Sequence, residues 1–276
     1  MKALFDKVSA RCSRITTEAY STSFSLGIRL LDKKFHAPIY AIYGFVRFAD
    51  EIVDSFHDYP KSDLLKDFRQ QTYAAIADRI SLNPILNSFQ ATVHACNIEM
   101  ELINTFLDSM EMDLQQHCYS RSLYEQYILG SAEVVGLMCL RVFTEGDHEQ
   151  YTALQHPAMK LGAAFQKINF LRDVKADSQE LGRLYFPGVN LDHFTVADKQ
   201  QIEREIGADL KQAIDGIRRL PAGARKGVYL AYAYYLVLFN KIKNLPPQKI
   251  MTERIRVGNS HKIGLMLQTM VVGLPK

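Results

Sequence analysis

The sequence predicts an all-α protein with a single domain over residues 1–276, on three observations. Apolar residues recur at helical spacing through almost the whole chain. Strand-like alternation and hairpin dipeptides are absent. No repeat, low-complexity tract or linker divides the chain, and its 47% hydrophobic content suffices for one large core. Roughly ten helices are expected, with ends uncertain by about 2–4 residues.

In chain order, His36-Ala37-Pro38 places a proline near the first turn of a helix that carries Asp50. Ser62-Asp63 opens a helix over 64–80, Asn83-Pro84 one to His94, and Asn97 or Ile98 one to Leu114. Ser120 to Phe143 reads as one long helix. Its Gly130 and Gly136 each cost about 1 kcal/mol against Ala, so they mark either close helix packing or room beside the backbone for a long apolar ligand. His156-Pro157 opens the helix that carries Asp173, and 195–220 is charged and amphipathic. Pro221 opens a run to Leu245 that stops at Pro246-Pro247. Its segment 227–239 is the most apolar stretch, shorter than the roughly 20 residues a bilayer needs, and is expected as a buried core helix. The apolar segment 262–274 is expected to be the last core helix rather than a membrane-touching surface.

Composition excludes several classes. A net charge of +3 without a long basic run does not point to nucleic acid. Cys12, Cys96, Cys118 and Cys139 form no C-x-x-C pair and read as reduced, buried small hydrophobes. The histidines are scattered without ligand spacing, so zinc is not expected. The first residues carry no apolar signal core, which with the cysteine usage leads to an expected cytoplasmic location.

The chemistry is concentrated in two acidic pairs of equal spacing, Asp50/Asp54 and Asp173/Asp177. Residues four apart share a helix face, so each pair presents two carboxylates side by side. Tyr43 and Arg47 extend the first stripe, and Gln166 and Asn169 extend the second. The remaining faces are apolar, with Ile39, Ile42, Phe45 and Val46 on one helix and Leu161, Phe165, Ile168 and Leu171 on the other. A solvated helix face would carry a Lys/Glu mixture instead of Asn, Gln, Tyr and Arg. Two such stripes facing each other would line a cavity with carboxylates, suited to a hard divalent cation and a diphosphate guest. The cation would act as a Lewis acid on a departing diphosphate. The carbocation left behind needs a dry apolar cavity and aromatic faces, for which Tyr40, Tyr43, Phe45, Phe48, Phe165 and Phe170 lie near the pairs. The segment 182–187 reads as a loop whose Arg183 and Tyr185 either close over an anion or cap the surface.

Four segments in this order resemble the squalene/phytoene synthase family over nearly the whole chain. They are the Ser-x-Ser-Phe stretch at Ser21 to Phe24, the first aspartate-rich stretch from Ala41 to Asp54, the central helix from Tyr127 to Met138, and Gln166 to Asp177 with its trailing loop to Pro187. The resemblance implies an isoprenoid synthase-type helical bundle around a central cavity. It further implies head-to-head condensation of two prenyl diphosphates through a cyclopropylcarbinyl diphosphate, which ionises again and rearranges to a linear hydrocarbon. By position, Asp50, Asp54, Asp173 and Asp177 would hold Mg2+, or Mn2+, with diphosphate, and Asn169 would assist. Arg47, Ser21 and Ser23 would contact diphosphate, Gln166 would line the site, and Tyr43 and Tyr127 would face the reacting centres. Arg183 and Tyr185 complete the set. Two departures stand out: Ala176 occupies a place where the family carries Glu, and Glu133 one where a small Gly is common. A Glu in a hydrocarbon channel would be costly, so Glu133 is expected to turn elsewhere. The form of the stretch Asp50-Glu51-Ile52-Val53-Asp54 is closer to phytoene synthases, which implies geranylgeranyl diphosphate as substrate, phytoene as product and no requirement for NADPH. The alternatives are a C30 enzyme acting on farnesyl diphosphate and a non-catalytic assembly factor, against which the intact acidic pairs argue. Lipid substrates without a spanning segment imply at most peripheral membrane association.

Overall fold

A computed structural model of the chain describes residues 1–115, 118–179, 183–189 and 194–272, with the side chains of 176–179, 259, 271 and 272 outside the description. Thirteen α-helices and no strand are found among the described residues. They are α1 (Lys2–Tyr20), α2 (Thr22–Arg29), α3 (Lys33–Ser55), α4 (Lys61–Asp78), α5 (Pro84–Cys96), α6 (Met100–Gln115), α7 (Arg121–Ile128), α8 (Val134–Thr144), α9 (His148–Gln179), α10 (Val196–Arg219), α11 (Ala222–Lys243), α12 (Pro247–Thr252) and α13 (Asn259–Val272). A π-turn over Leu129–Glu133 joins α7 to α8, so the expected helix from Ser120 to Phe143 is continuous but changes its winding midway.

Local chemistry accounts for several boundaries. Asn83 caps α5 by accepting from the amides of Ile85 and Leu86, and Ser120 caps α7 by accepting from Leu123 N–H. Thr195 and Asp198 form a reciprocal capping box at the start of α10. Two expected starts are wrong by several residues. Helix α3 begins at Lys33 and α9 at His148, so Pro38 and Pro157 lie inside helices rather than in the first turn. Each proline forgoes one backbone bond. The Pro157 ring occupies the space left by Gly216 on α10, where a Cβ would come within 2.4 Å of it.

Two apolar cores meet in the bundle. One gathers Phe45, Phe89 and Phe106 from α3, α5 and α6, with Phe45 stacked on Phe89 at 3.9 Å between centroids. The other gathers Ile168, Leu210 and Phe239 from α9, α10 and α11. Helix α9 packs along α10 and α8, and α11 packs on α2. Gly130 sits against α6, where a Cβ would meet both Ser109 Cβ and Thr105 O at 2.5 Å, so it marks close packing. Gly136 does both things expected of such a residue: it faces Ala158 O at 2.8 Å from a would-be Cβ, and it lines the central cavity.

Two further expectations are corrected. The C-terminal segment is helical, but Ile263, Leu267 and Met270 are about half exposed, so α13 rests on α11 and α2 as a partly covered surface helix and not as core. Cys118 is exposed, whereas Cys139 lines the cavity. The continuous helix Arg121–Thr144 is long and apolar enough to cross a membrane, yet most of its apolar window is buried inside the bundle.

Candidate active site

A cavity of about 310 Å³ lies where the two cores meet, with walls from α2, α3, α8, α9, α10 and α11. Its walls are almost wholly apolar, formed by residues such as Ile42, Val135, Phe143, Leu161 and Ile217. Gly27, Gly162 and Gly227 are among its lining residues, at places where the helices approach closely. Four rings meet on one side of it. Phe165 stacks on Tyr235 at 3.9 Å, and Phe24 touches Tyr43, Phe165 and Tyr235 at 5.7, 6.3 and 6.2 Å.

The two polar stripes leave this cavity along α3 and α9. Tyr43 on α3, and Gln166 and Asn169 on α9, line the wall. Asp50 lies seven residues beyond Tyr43, about 10 Å along the axis, and Asp173 lies four beyond Asn169, about 6 Å. The acids thus stand at the mouth of an apolar hole. Asn169 Oδ1 accepts a hydrogen bond from Tyr235 Oη at 3.1 Å, which fixes the amide beside the stacked rings. Burial pushes the Tyr43 phenol up to about 12, so it is neutral.

Arginine pairs with every described aspartate of the two stripes. Arg47 donates to Asp50 at 2.6 Å and to Glu51, and its guanidinium lies over the Tyr20 ring at 4.3 Å. Its Nε is buried without a hydrogen-bond partner. Arg183 donates to Asp54 at 2.7 Å and to Val53 O at 3.1 Å, which draws the segment after the second acidic pair onto the helix of the first. Asp173 is held by Arg172 and by Arg254, the latter at 2.8 Å. Asp50 keeps 33% of its side chain open. Even so, its position in the cleft and the nearby charges of Asp54, Asp113 and Glu51 hold it above the ordinary carboxylate range, with Arg47 opposing the shift.

This donor set fits a hard divalent cation bound together with an anionic ligand. All the candidate ligands are oxygens, and like charges crowd Asp50. Among the described residues no three His, Cys, Asp or Glu side chains converge on one point. Mg2+ requires only one or two carboxylates when phosphate oxygens and water complete its shell.

The other sequence candidates are placed as follows. Ser21 caps α2 by accepting from Phe24 N–H, and its hydroxyl also reaches Tyr43. Ser23 is half-buried on the same helix. Tyr127 is buried and gives its hydroxyl to Asp113 at 2.6 Å, away from the cavity-lining residues. Tyr185 also donates to Asp113, at 2.9 Å. Glu133 faces Lys160 at 3.9 Å and is not part of the cavity wall, as its cost there would require. The Asp177 and Ala176 side chains lie outside the described residues. Of the aromatics near the acidic pairs, only Tyr43 and Phe165 reach the cavity. Phe45 is in the core, Phe48 is exposed, and Phe170 stacks on Tyr185.

Sequence reasoning did not single out Phe24, Tyr235, Arg172, Arg254 or Asp113 as site residues. Phe24 closes the Ser-x-Ser-Phe stretch, and Asp113 left a separate signal. Asp113 continues the face of Ile103, Phe106 and Met110 on α6, which puts an ionisable group on a core stripe.

Comparison with known proteins places the chain in a family. The family model described as squalene/phytoene synthase matches residues 17–261. Presqualene diphosphate synthase of Sinorhizobium fredii is 33% identical over 178 residues, covering 63% of this chain and 61% of that protein. Chloroplastic phytoene synthase of Daucus carota is 30% identical over 203 residues, covering 67% of this chain and 46% of that protein. The chain therefore spans about half to three-fifths of these relatives. A crystal structure of a dehydrosqualene synthase in complex with ligand superposes with a TM-score of 0.80 over 97% of both chains at 18% identity, a likeness of fold.

Proposed function

The chain belongs to the squalene/phytoene synthase family, and from that premise we propose that it condenses two prenyl diphosphates head to head. The observation that carries the proposal is the junction of two acidic, arginine-paired helix faces with one deep apolar cavity. Prenyl chains fit the apolar walls, and diphosphates fit the charged mouth.

In this reading Asp50, Asp54 and Asp173, with Asn169, hold Mg2+ or Mn2+, and Asp177 is assigned the same role by its place in the sequence. The bound cation supplies Lewis-acid assistance to diphosphate departure. Arg47, with its unpartnered Nε, takes phosphate oxygens. Ionisation of one substrate leaves an allylic cation at C1, which alkylates the double bond of the second. Proton loss closes a cyclopropylcarbinyl diphosphate. Its own ionisation, rearrangement and a second proton loss give a linear hydrocarbon, with two diphosphates released and no nicotinamide cofactor consumed. Phe24, Tyr43, Phe165 and Tyr235 present ring faces to the cation, and the apolar walls exclude the water that would quench it.

We propose geranylgeranyl diphosphate as the substrate and phytoene as the product. The form of the first acidic stretch supports this, as do the small residues Ser131, Ala132 and Gly136 in the cavity wall. The likeness to a presqualene diphosphate synthase favours a second reading, a C30 product from farnesyl diphosphate. Competition between the two diphosphates, with extraction of the hydrocarbon, decides between them. A C40 hydrocarbon formed without NADPH is expected. A dominant C30 product, or a requirement for NADPH, would overturn the chain-length assignment alone. The absence of Mg2+-dependent diphosphate release would overturn the enzymatic reading. Contact with membranes belongs to the same proposal, because substrates and product are lipids and α13 offers Ile263, Leu267 and Met270 on an exposed face.

A further inference from the structure

Behind the mouth of the cavity lies a carboxylate that neither acidic stripe contains. Asp113, near the end of α6, has a side chain only 2% exposed. Its Oδ1 accepts from Tyr119 Oη at 3.1 Å and Tyr185 Oη at 2.9 Å, and its Oδ2 accepts from Tyr127 Oη at 2.6 Å. A buried carboxylate is costly unless its lone pairs are filled and its charge is met. The three phenols fill most of the lone pairs. The charge is met by Arg183, whose Nη1 lies 3.8 Å from Oδ1. The same Nη1 is 2.7 Å from Asp54, and Nη2 is 3.1 Å from Val53 O. One guanidinium therefore stands between a carboxylate of the first acidic stripe and a carboxylate fixed in the interior.

The two partners differ in mobility. Asp54 is a third exposed, at the mouth, in a position to exchange Arg183 for a cation. Asp113 is held by hydroxyls from three chain segments, the stretch after α6, α7 and the segment after the second acidic pair, and it cannot follow. The stretch 118–119 and the segment 184–185 are further joined by a parallel β-bridge between Cys118 and Leu184. We infer that Asp113 is a positioning residue that holds Arg183 at the rim of the first acidic stripe, so that the guanidinium keeps its place when Asp54 turns to a bound cation and diphosphate. The inference rests on the diphosphate-binding reading of the mouth. It adds a residue that touches no ligand and acts only through Arg183.

A double-mutant cycle tests it, with calorimetric titration of inorganic pyrophosphate in the presence of Mg2+ as the readout. Asp113→Asn and Arg183→Lys should each weaken pyrophosphate binding about tenfold, and the double variant should be no weaker than the weaker single, because residues acting through one contact are not additive. Tyr119→Phe removes one donor to Asp113 without changing charge and serves if Asp113→Asn fails to fold. It should weaken binding about twofold in the otherwise unchanged protein and not at all beside Arg183→Lys. Additive losses in either cycle would overturn the inference, as would unchanged affinity in folded Asp113→Asn or Tyr119→Phe. An unmodified protein that binds no pyrophosphate with Mg2+ would instead overturn the reading of the mouth, and the inference with it.

Discussion

Replacing Asp50 with Asn should abolish turnover and stabilise the ligand-free protein. Asp50 and Asp54 are one helical turn apart, with Cβ atoms about 6 Å from each other. At an effective dielectric constant near 20, that separation gives roughly 3 kcal/mol of repulsion. Arg47, 2.6 Å from Asp50, offsets most of it, and Arg47 retains Glu51 when Asp50 is neutral. With 33% of the Asp50 side chain open to screening solvent, the net relief should be about 1 kcal/mol, or about 2–4 °C in Tm for a chain of this size. The catalytic effect runs the other way. Losing a cation ligand at the leaving group removes about 4 kcal/mol from the transition state, roughly a thousandfold in rate. Thermal denaturation with and without Mg2+, alongside a diphosphate-release assay, reads both effects. The Asn variant should melt higher without Mg2+ and gain less from Mg2+ and pyrophosphate together. A variant that melts lower than the parent without Mg2+, or keeps turnover within tenfold of it, would refute the reasoning.

Three further outcomes are expected. Asp173→Ala leaves Arg172 and Arg254 without their shared carboxylate and should nearly abolish Mg2+-dependent turnover with the far-ultraviolet helical signal unchanged; near-full activity would contradict the two-stripe site. Gly130→Ala gains up to about 1 kcal/mol of helix propensity but places a Cβ 2.5 Å from a backbone carbonyl, so it should destabilise by about 1–2 kcal/mol net, read as a lower denaturant midpoint. Ile263→Ser with Leu267→Ser on the exposed face of α13 should reduce co-sedimentation with anionic lipid vesicles several-fold while leaving the melting temperature within about 1–2 °C.

The acidic stripes were legible because helical periodicity is a local property. Once α3 and α9 are helices, Tyr43 must share a face with Asp50, and Asn169 with Asp173. What joins the stripes was not legible. Arg183 meets Asp54 across 129 residues of sequence, and no local pattern reports which side chain will arrive opposite another. The rings show the same limit. Proximity in sequence to the acidic pairs pointed to Phe45 and Phe170, which face the cores, while Phe24 and Tyr235 come to the cavity from α2 and α11. Pro38 and Pro157 misplaced two helix starts because tertiary packing, as at Gly216, outweighs the loss of a single backbone bond. The apolar run in α13 resembles a core helix in composition, and nothing within it tells that one of its faces is left uncovered.

The π-turn between α7 and α8 sets a constraint on how this chain can be altered. An α-helix advances about 100° per residue, and a π-turn holds one residue more than the α-turn it replaces. The wide turn absorbs that residue, so Tyr127, which faces Asp113, and the cavity wall of Val135, Gly136 and Cys139 keep the phase they would have in a plain α-helix one residue shorter. Deleting one residue from Leu129–Glu133 would return the turn to α winding with both faces in phase. Deleting one from α7 or α8 instead would turn one face by about 100° away from its partners. Segments exchanged with relatives can therefore differ by one residue at this turn, whereas in the flanking helices their lengths must match.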